Sequence, residues 1–398
     1  MNYDKKTIRD IDVSGKKVLL RCDLNVPYDK KTGVIEDDKR IVESVPTIRY
    51  LLDNGAAVIL LSHLGRPKGE VKPEFSLNVI KSRAEELLGR SIPLTKDVLG
   101  PDTKAKAAAL KPGEVLLVEN IRFRPEEEKN DHDFSKELAA LADIFVFDAF
   151  GTAHRAHAST EGVAHFIPGY AGLLVEKELA VMGGAITNPQ RPLVAVLGGS
   201  KVSDKIGVIN NLLQLADTII VGGGMAYTFL KAKGGSIGTS LLDAGHIDYA
   251  KKMLESAAEK GVNLLLPVDT LAAPEFAADA PYEVVPAMEI PSGKMGLDIG
   301  PETIELFCET IAEAGTVIWN GPMGVFEFPA FAKGTNAVAE AMAMLEHGVT
   351  IVGGGDSASA VEKSGYADHI THISTGGGAS LEFLEGLALP GVACLLDK

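Results

Sequence analysis

The sequence predicts an α/β protein: two doubly wound, Rossmann-like parallel-sheet domains joined by a helix and hinge. Three observations predict it. Short runs rich in Val, Ile and Leu alternate with helical patterns along the chain. The alternation occurs once on each side of a single helical segment, and composition changes sharply across that segment.

The apolar runs come first. Before the change they are Lys17–Cys22, Ala57–Ser62, Val115–Glu119 and Ile144–Phe147. After it they are Leu193–Leu197, Thr218–Val221, Asn263–Pro267, Thr316–Trp319 and Val349–Val352. Near-continuous apolar runs of this length suit strands buried on both faces, as in parallel sheets covered by helices. Helices are predicted between them over Ser135–Ala142, Asp204–Leu215 and Asp248–Glu259. Within Gly169–Ile186, Leu173, Leu174, Lys177, Glu178 and Val181 suit a connecting helix, which Asn188-Pro189 and Arg191-Pro192 then stop. The first domain is therefore placed at 1–168 and the connection at 169–187, with the second domain beginning at 188.

Composition bounds the function. The chain has 398 residues, 46% apolar and 23% charged, enough for two or three ordered domains and unlike a disordered protein. The longest stretch free of charged side chains, Gly162–Val175, falls short of the ~18 apolar residues of a membrane span. No basic-then-apolar signal opens the chain, and Cys22, Cys308 and Cys394 are too few and too scattered for a disulfide scaffold or a cysteine zinc cluster. A reducing cytoplasm is the expected location.

The net charge of −15 disfavours nucleic acid as a partner, but it hides a division. Residues 1–170 hold 26 Lys and Arg against 27 Asp and Glu, a net of −1, while residues 171–398 hold 13 against 27, a net of −14. Ten of eleven arginines precede residue 171, whereas 31 of 42 glycines follow it. Drift in surface composition is one reading. The other is an arginine-lined anion site in the first domain and a glycine-rich, backbone-lined site in the second.

In such sheets ligands bind beyond the carboxyl ends of the strands. The four first-half strands run into Arg21–Pro27, Ser62–Pro67, Glu119–Phe123 and Asp148–His157. Each end brings an arginine (Arg21, Arg66, Arg122, Arg155), two bring histidines, and Arg40 follows the first loop. With Asp23 and Asn25 they describe a pocket for a small anionic molecule carrying hydroxyls. Any single arginine reads more readily as a surface ion pair than as a ligand contact, five at equivalent positions shift the balance to a site, and Arg21 also reads as a partner of Asp23 or Asp148. His63, His154 and His157 suggest zinc by spacing, yet Arg155 and Arg66 make a divalent cation unwelcome there.

The second-half strands run into Gly198–Lys205, Gly222–Met225, Asn320–Glu327 and Gly353–Ser357, and Ser374-Thr375 precedes Gly376–Ser380. Glycine turns before helices let backbone N–H groups reach phosphate. Lys201 and Lys205 stand at i and i+4, on one face if helical, and Asp356 suits Mg²⁺ held with phosphate oxygens. Neither GxxxxGK[ST] nor GxGxxG occurs, which argues against a Walker-type loop, a dinucleotide fold and a protein-kinase loop. A dehydrogenase and a non-catalytic two-domain binding protein are the competing classes.

The blocks Arg21–Pro27, Ser62–Pro67, Asp148–Ala158, Gly198–Lys205, Trp319–Phe328, Gly353–Ala358 and Ser374–Glu382 resemble the 3-phosphoglycerate kinase family, in order along nearly the whole chain. DAFGTAHRAH and WNGPMGVFE are the most specific of them. The resemblance implies reversible Mg²⁺-dependent phosphoryl transfer between 1,3-bisphosphoglycerate and ADP, giving 3-phosphoglycerate and ATP. Transfer is expected to be direct and in line, on hinge closure, in a cytoplasmic monomer.

The resemblance also implies site residues. Asp23, Leu24, Asn25, Arg40, His63, Leu64, Gly65, Arg66, Arg122 and Arg155 match the glycerate-phosphate site, and Arg40 also steadies the transferring group. Lys201, Lys205, Gly296, Glu327, Gly354, Gly355, Asp356 and Ser357 match the nucleotide site, with Asp356 linked to the metal. Lys205 follows the phosphoryl group, and Gly376 and Gly377 match the loop that neutralises the transition state. The nucleotide domain would span 188–385, with 386–398 returning to the first domain.

Overall fold

The computed structural model describes residues Asn2–Lys398. The chain divides into two compact units, Met1–Ala180 with Ala388–Lys398, and Val181–Leu387. The division falls inside one helix, α6 (Leu173–Thr187, the sixth in chain order), which ends just before Asn188-Pro189.

The first unit is built on β1 (Lys17–Cys22), β2 (Ala57–Leu61), β3 (Val115–Leu117), β4 (Ile144–Asp148) and β5 (Gly169–Ala171). All pairings are parallel, in the order β3-β2-β1-β4-β5, so the winding reverses between β1 and β4. Helices α1 (Lys39–Asp53), α2 (Asn78–Leu88), α3 (Pro101–Ala109), α4 (Pro125–Glu128) and α5 (His132–Ala139) accompany it. Strands β2 and β4 are buried at every residue, as continuous apolar runs demand. Val18, Leu20, Val58, Leu60 and Val146 form one core with Ile41, Ile48 and Leu51 of α1 and Ile80 of α2.

Helix α5 starts at His132, three residues before the helix expected from Ser135. Asp131 is the reason: its side chain accepts the Phe134 N–H at 2.9 Å and caps the helix start. Residues 388–398 complete this unit with a short helix, α14 (Pro390–Ala393). Lys5 Nζ bonds the Leu395 carbonyl at 3.1 Å and pairs with Asp397 at 2.7 Å, and the Leu396 N–H donates to the Gly169 carbonyl.

The second unit contains β6 (Leu193–Leu197), β7 (Thr218–Val221), β8 (Ser236–Ile237), β9 (Asn263–Leu265), β10 (Asp269–Ala273) and β11 (Glu283–Pro286). Strands β12 (Glu289–Ile290), β13 (Met295–Ile299), β14 (Thr316–Asn320), β15 (Val349–Gly353) and β16 (His372–Ile373) complete it. Its main sheet is parallel in the order β16-β15-β14-β6-β7-β9, reversing between β14 and β6. Its principal helices are α7 (Ile206–Leu215), α8 (Met225–Ala232), α9 (Ile247–Lys260), α10 (Pro301–Ala312), α11 (Lys333–Ala343), α12 (Gly355–Ser364) and α13 (Gly378–Leu384). Trp319, wholly buried, packs with Val194, Val196, Phe307 and Val352 at the centre of this unit.

The antiparallel sheet β11-β10-β13 was not foreseen from the sequence. Its edge strand β11 is largely exposed and short, so it lacks the apolar run by which the other strands announce themselves. Among the described residues no helix is long and apolar enough to cross a membrane.

Candidate functional site

In each unit most of the expected site residues lie in loops beyond the carboxyl ends of the parallel strands, on either side of the point where the winding reverses.

In the first unit, Asp23 follows β1 and is buried, and its Oδ2 pairs with Arg40 NH1 at 3.1 Å. Arg40, half-exposed on α1, also donates to the Asn25 carbonyl at 3.0 Å. Asn25 Oδ1 accepts the Gly65 N–H at 2.8 Å, tying the loop after β1 to the loop after β2. Leu24 and Leu64 bury their side chains fully, so only their main-chain atoms are available to a ligand. Asn120 fastens the third loop, donating from Nδ2 to the carbonyls of Leu64 and Phe75 at 2.8 Å.

Arg122 holds the decisive position. It is 3% exposed, its NH1 donates to the Gly65 carbonyl at 2.9 Å, and among the described residues its NH2 and Nε have no hydrogen-bond partner, Nε facing only Glu128 Oε1 at 3.7 Å. Burial, then the repulsion of Arg21, lowers its pKa to about 10. Unpaired buried donors on a cation are costly, and an anion is what would satisfy them. Arg155 is half-buried and donates from Nε to His154 Nε2 at 3.2 Å. Arg66 is exposed and makes no hydrogen bond or ion pair among the described residues.

The histidines are held neutral. Burial, then Arg21, Arg122, Arg40 and Arg155, keep the His63 pKa well below 6.5. Burial and Arg122 bring His157 to about 4, and burial with Arg155 lowers His154. Among the described residues no group of three His, Cys, Asp or Glu side chains is arranged to hold a metal ion, and His154 already faces Arg155. The three histidines of the zinc alternative are therefore not arranged as a ligand set. Arg21 is wholly buried, as are Glu127 and Ser159, which the sequence reading overlooked.

In the second unit, Lys205 is 8% exposed and its Nζ donates to Asn320 Oδ1 at the end of β14. Burial lowers its pKa, against the pull of Asp204 and Asp356. Asn320 in turn donates from Nδ2 to the Gly353 carbonyl at 2.9 Å, and Ser357 Oγ accepts the Gly321 N–H at 2.6 Å. The loops after β6, β14 and β15 are thereby locked together. Lys201 and Lys205 do not share a helix face. Lys201 is exposed in extended backbone, and α7 begins only at Ile206 after a single 3₁₀ turn, Val202–Lys205.

The close packing of these loops explains their glycines. A Cβ on Gly198 would lie 2.1 Å from the Pro322 carbonyl oxygen, a backbone atom that cannot step aside. Gly354, at φ +89°, precedes α12, whose first turn (Gly355, Asp356, Ser357) receives no side-chain cap. Free N–H groups at a helix start attract phosphate. Asp356 is exposed in that turn and its carboxylate makes no hydrogen bond or ion pair among the described residues.

The remaining expected positions are less tightly drawn in. Glu327 is exposed in a turn. Gly296 lies on β13, where a Cβ would strike the Tyr227 hydroxyl, and its N–H donates to Ser240 Oγ at 2.9 Å. The Gly376 N–H donates to Ser374 Oγ at 3.1 Å, and Gly377 precedes α13. Among the described residues no hydrogen bond or ion pair joins Lys201, Glu327 or Gly296 to Lys205.

The phosphoglycerate kinase family model matches residues 8–387. The chain belongs to the phosphoglycerate kinase family. It is 57% identical over 394 residues to phosphoglycerate kinase of Moorella thermoacetica, covering 99% of this chain and 100% of that one. It is 59% identical over 400 residues to the enzyme of Clostridium botulinum, with both chains covered in full. Among solved structures, phosphoglycerate kinase from Coxiella burnetii matches at a TM-score of 0.92 and 45% identity over 98% of both chains. The Pyrococcus horikoshii enzyme matches at 0.82 and 34%, again over 98% of both. Family membership makes the chain a phosphotransferase that uses ADP and ATP, and removes the dehydrogenase and the non-catalytic binding protein.

Proposed function

We propose that the first unit holds the glycerate phosphate, the second holds the nucleotide, and Lys205 with Arg40 neutralises the phosphoryl group in transit. The reaction is the family's: 1,3-bisphosphoglycerate and ADP exchange a phosphoryl group to give 3-phosphoglycerate and ATP. Arg122 carries the reading, because a buried guanidinium with two nitrogens that make no hydrogen bond, only one of them near a carboxylate, calls for an anion. Asp23 and Asn25 orient the glycerate hydroxyl and carboxylate, His63, Arg66 and Arg155 supply further donors, and the main chain of Leu24, Leu64 and Gly65 closes the pocket.

On the other side, the N–H groups of Gly354–Ser357 at the start of α12 receive phosphate, with Lys201 supporting, Glu327 at the ribose and Gly296 near the nucleotide. Gly376 already spends its amide on Ser374, so Gly377 is the donor left to the transition state. Mg²⁺ fits as an ion that arrives with the nucleotide: Asp356 offers one free carboxylate, and no all-protein cage exists among the described residues. Bound there, the ion neutralises phosphate charge. Attack by the carboxylate of 3-phosphoglycerate needs no strong base, which agrees with three neutral histidines. Transfer is therefore direct, with positioning and charge as the protein's contribution.

Assigned to separate units, the reacting atoms must come within ~3–3.5 Å. Closure about residues 169–187 would do this, and scattering radii that stay identical in the apo and doubly liganded protein would remove it. The acidic balance and scattered cysteines favour a cytoplasmic enzyme without a nucleic-acid partner, and each unit's own complete sheet favours a monomer. Calorimetric titration tests the glycerate assignment. Arg122→Lys keeps a charge but loses the fork, and should weaken 3-phosphoglycerate about 10-fold while leaving ADP unchanged. Equal weakening of both ligands, or of neither, would remove Arg122 from the site.

A further inference from the structure

Arg21 lies at the carboxyl end of β1 with no exposed surface, so it cannot touch a ligand directly. Every nitrogen of its guanidinium is nonetheless engaged. Nε donates to Ser159 Oγ at 2.9 Å, NH1 to the Cys22 carbonyl, and NH2 meets His63 Nδ1 at 3.1 Å.

We propose that Arg21 is a positioning residue that fixes His63 as the neutral Nε2–H tautomer, and that Ser159 and Glu127 hold Arg21 in that duty. The proposal rests on the reading of His63 as a glycerate contact. A guanidinium has only donors and keeps its protons, so Nδ1 of His63 must accept. The ring proton then sits on Nε2, which has no hydrogen-bond partner among the described residues. The approach of His63 Nδ1 to Asp23 Oδ1, at 3.9 Å, is no hydrogen bond, because Nδ1 carries no proton to give.

The direction of the chain behind Arg21 is equally determined. A serine hydroxyl has one hydrogen. Ser159 Oγ gives it to Glu127 Oε1 at 2.6 Å, while the Ser159 N–H donates to Glu127 Oε2 at 2.9 Å. The lone pairs of Oγ are left for Arg21 Nε. Glu127 is wholly buried, and burial raises its pKa against the attraction first of Arg21. Donation thus runs from Arg21 through Ser159 to Glu127 on one side, and from Arg21 to His63 on the other.

Charge around the ring points the same way. Arg21 on β1, Arg122 after β3, Arg40 on α1 and Arg155 after β4 act on His63, against the nearby carboxylate of Asp23. An imidazolium there would set an N–H against the Arg21 N–H and add a fifth cation. The neutral tautomer instead supplies one directed N–H that does not titrate while the substrate is bound. The arginines bring charge and His63 brings direction.

Long-range ¹H–¹⁵N spectra of the labelled full-length protein test this, with His63 assigned by the signal lost in His63→Gln. The expected result is protonated Nε2 and bare Nδ1 from about pH 5.5 to about pH 8, without substrate. A protonated Nδ1 in the wild type overturns the proposal, and needs no variant. The double variant Arg21→Met, Glu127→Gln removes buried cation and buried acid together and leaves no uncompensated charge. It should show both tautomers, with Asp23 now able to receive a proton from Nδ1, and about 10-fold weaker 3-phosphoglycerate binding at unchanged ADP affinity. Weaker binding with the tautomer unmoved makes Arg21 merely structural and overturns the proposal. A tautomer that moves without any change in glycerate affinity upholds the positioning and instead overturns the reading of His63 as a glycerate contact.

Discussion

On the proposed assignment the two units solve one problem, holding anions beyond the strand ends of a parallel sheet, with different materials. The first does it with side chains. Arginines stand at four strand ends, Arg40 of α1 joins Asp23 and Asn25, and a second tier (Asn120, Ser62, Ser159, Glu127) fastens the loops that bear them. The second does it with backbone. Its loops pack so closely that Gly198 and Gly321 admit no Cβ, and one buried lysine supplies the interior charge. The difference explains the split in composition, −1 with ten arginines against −14 with 31 glycines, better than surface drift does. It also predicts where each site is fragile: redundancy protects the first, whereas in the second Lys205 is the buried lysine and Lys201 is exposed.

That asymmetry sets the largest expected effect. Lys205→Ala should lower kcat by about 10²–10³-fold, the loss typical of one preorganised charge at a reacting oxyanion, with KM for 3-phosphoglycerate little changed. Steady-state assays coupled to ATP formation measure it. A drop no larger than that of any single first-unit arginine would break the comparison, since it would mean that the second site, too, shares its charge among many groups.

How much of this was legible in the sequence follows the same line. The strands read well because parallel strands are buried on both faces and appear as unbroken apolar runs, and the site loops read well because they follow them. Glu127 did not read. It sits in Pro125–Glu128, an acidic run after proline that looks like the solvated first turn of a helix, and nothing in its spacing says that its middle glutamate is wholly buried. Ser159 is hidden likewise, two residues past a histidine pair that draws attention to itself. The lysine pair misled in the opposite sense. Spacing of i and i+4 implies a shared face only on a helix, and tight packing of the Gly198 loop delays α7 until both lysines have passed. Sequence periodicity reports burial along regular elements; which polar group a loop buries is decided by its partners in the fold.

A smaller effect sharpens the comparison, because here the units agree. Each buries, against the start of a helix, an aspartate whose pKa is raised. Asp148, the last residue of β4, accepts the Leu174 and Val175 N–H groups of α6 at 2.9 and 3.2 Å. Asp298 on β13 accepts the Gly334 N–H of α11 and the Ile299 N–H, each at 2.9 Å. In both, burial outweighs these bonds and raises the pKa from 3.8 to about 7. Between those two values the folded state keeps a proton that the unfolded chain has released. Stability from each group therefore falls as pH rises from about 4 to about 7, by about 1.4 kcal/mol per pH unit, and levels off above. Asp148→Asn retains an acceptor oxygen for both α6 amides and removes the titration. Its urea stability, measured beside the wild type from about pH 5 to about pH 8, should gain on the wild type with rising pH and then run parallel. Curves parallel throughout would mean that Asp148 is ionised in the folded protein, and that the amides of α6, rather than burial, govern its charge.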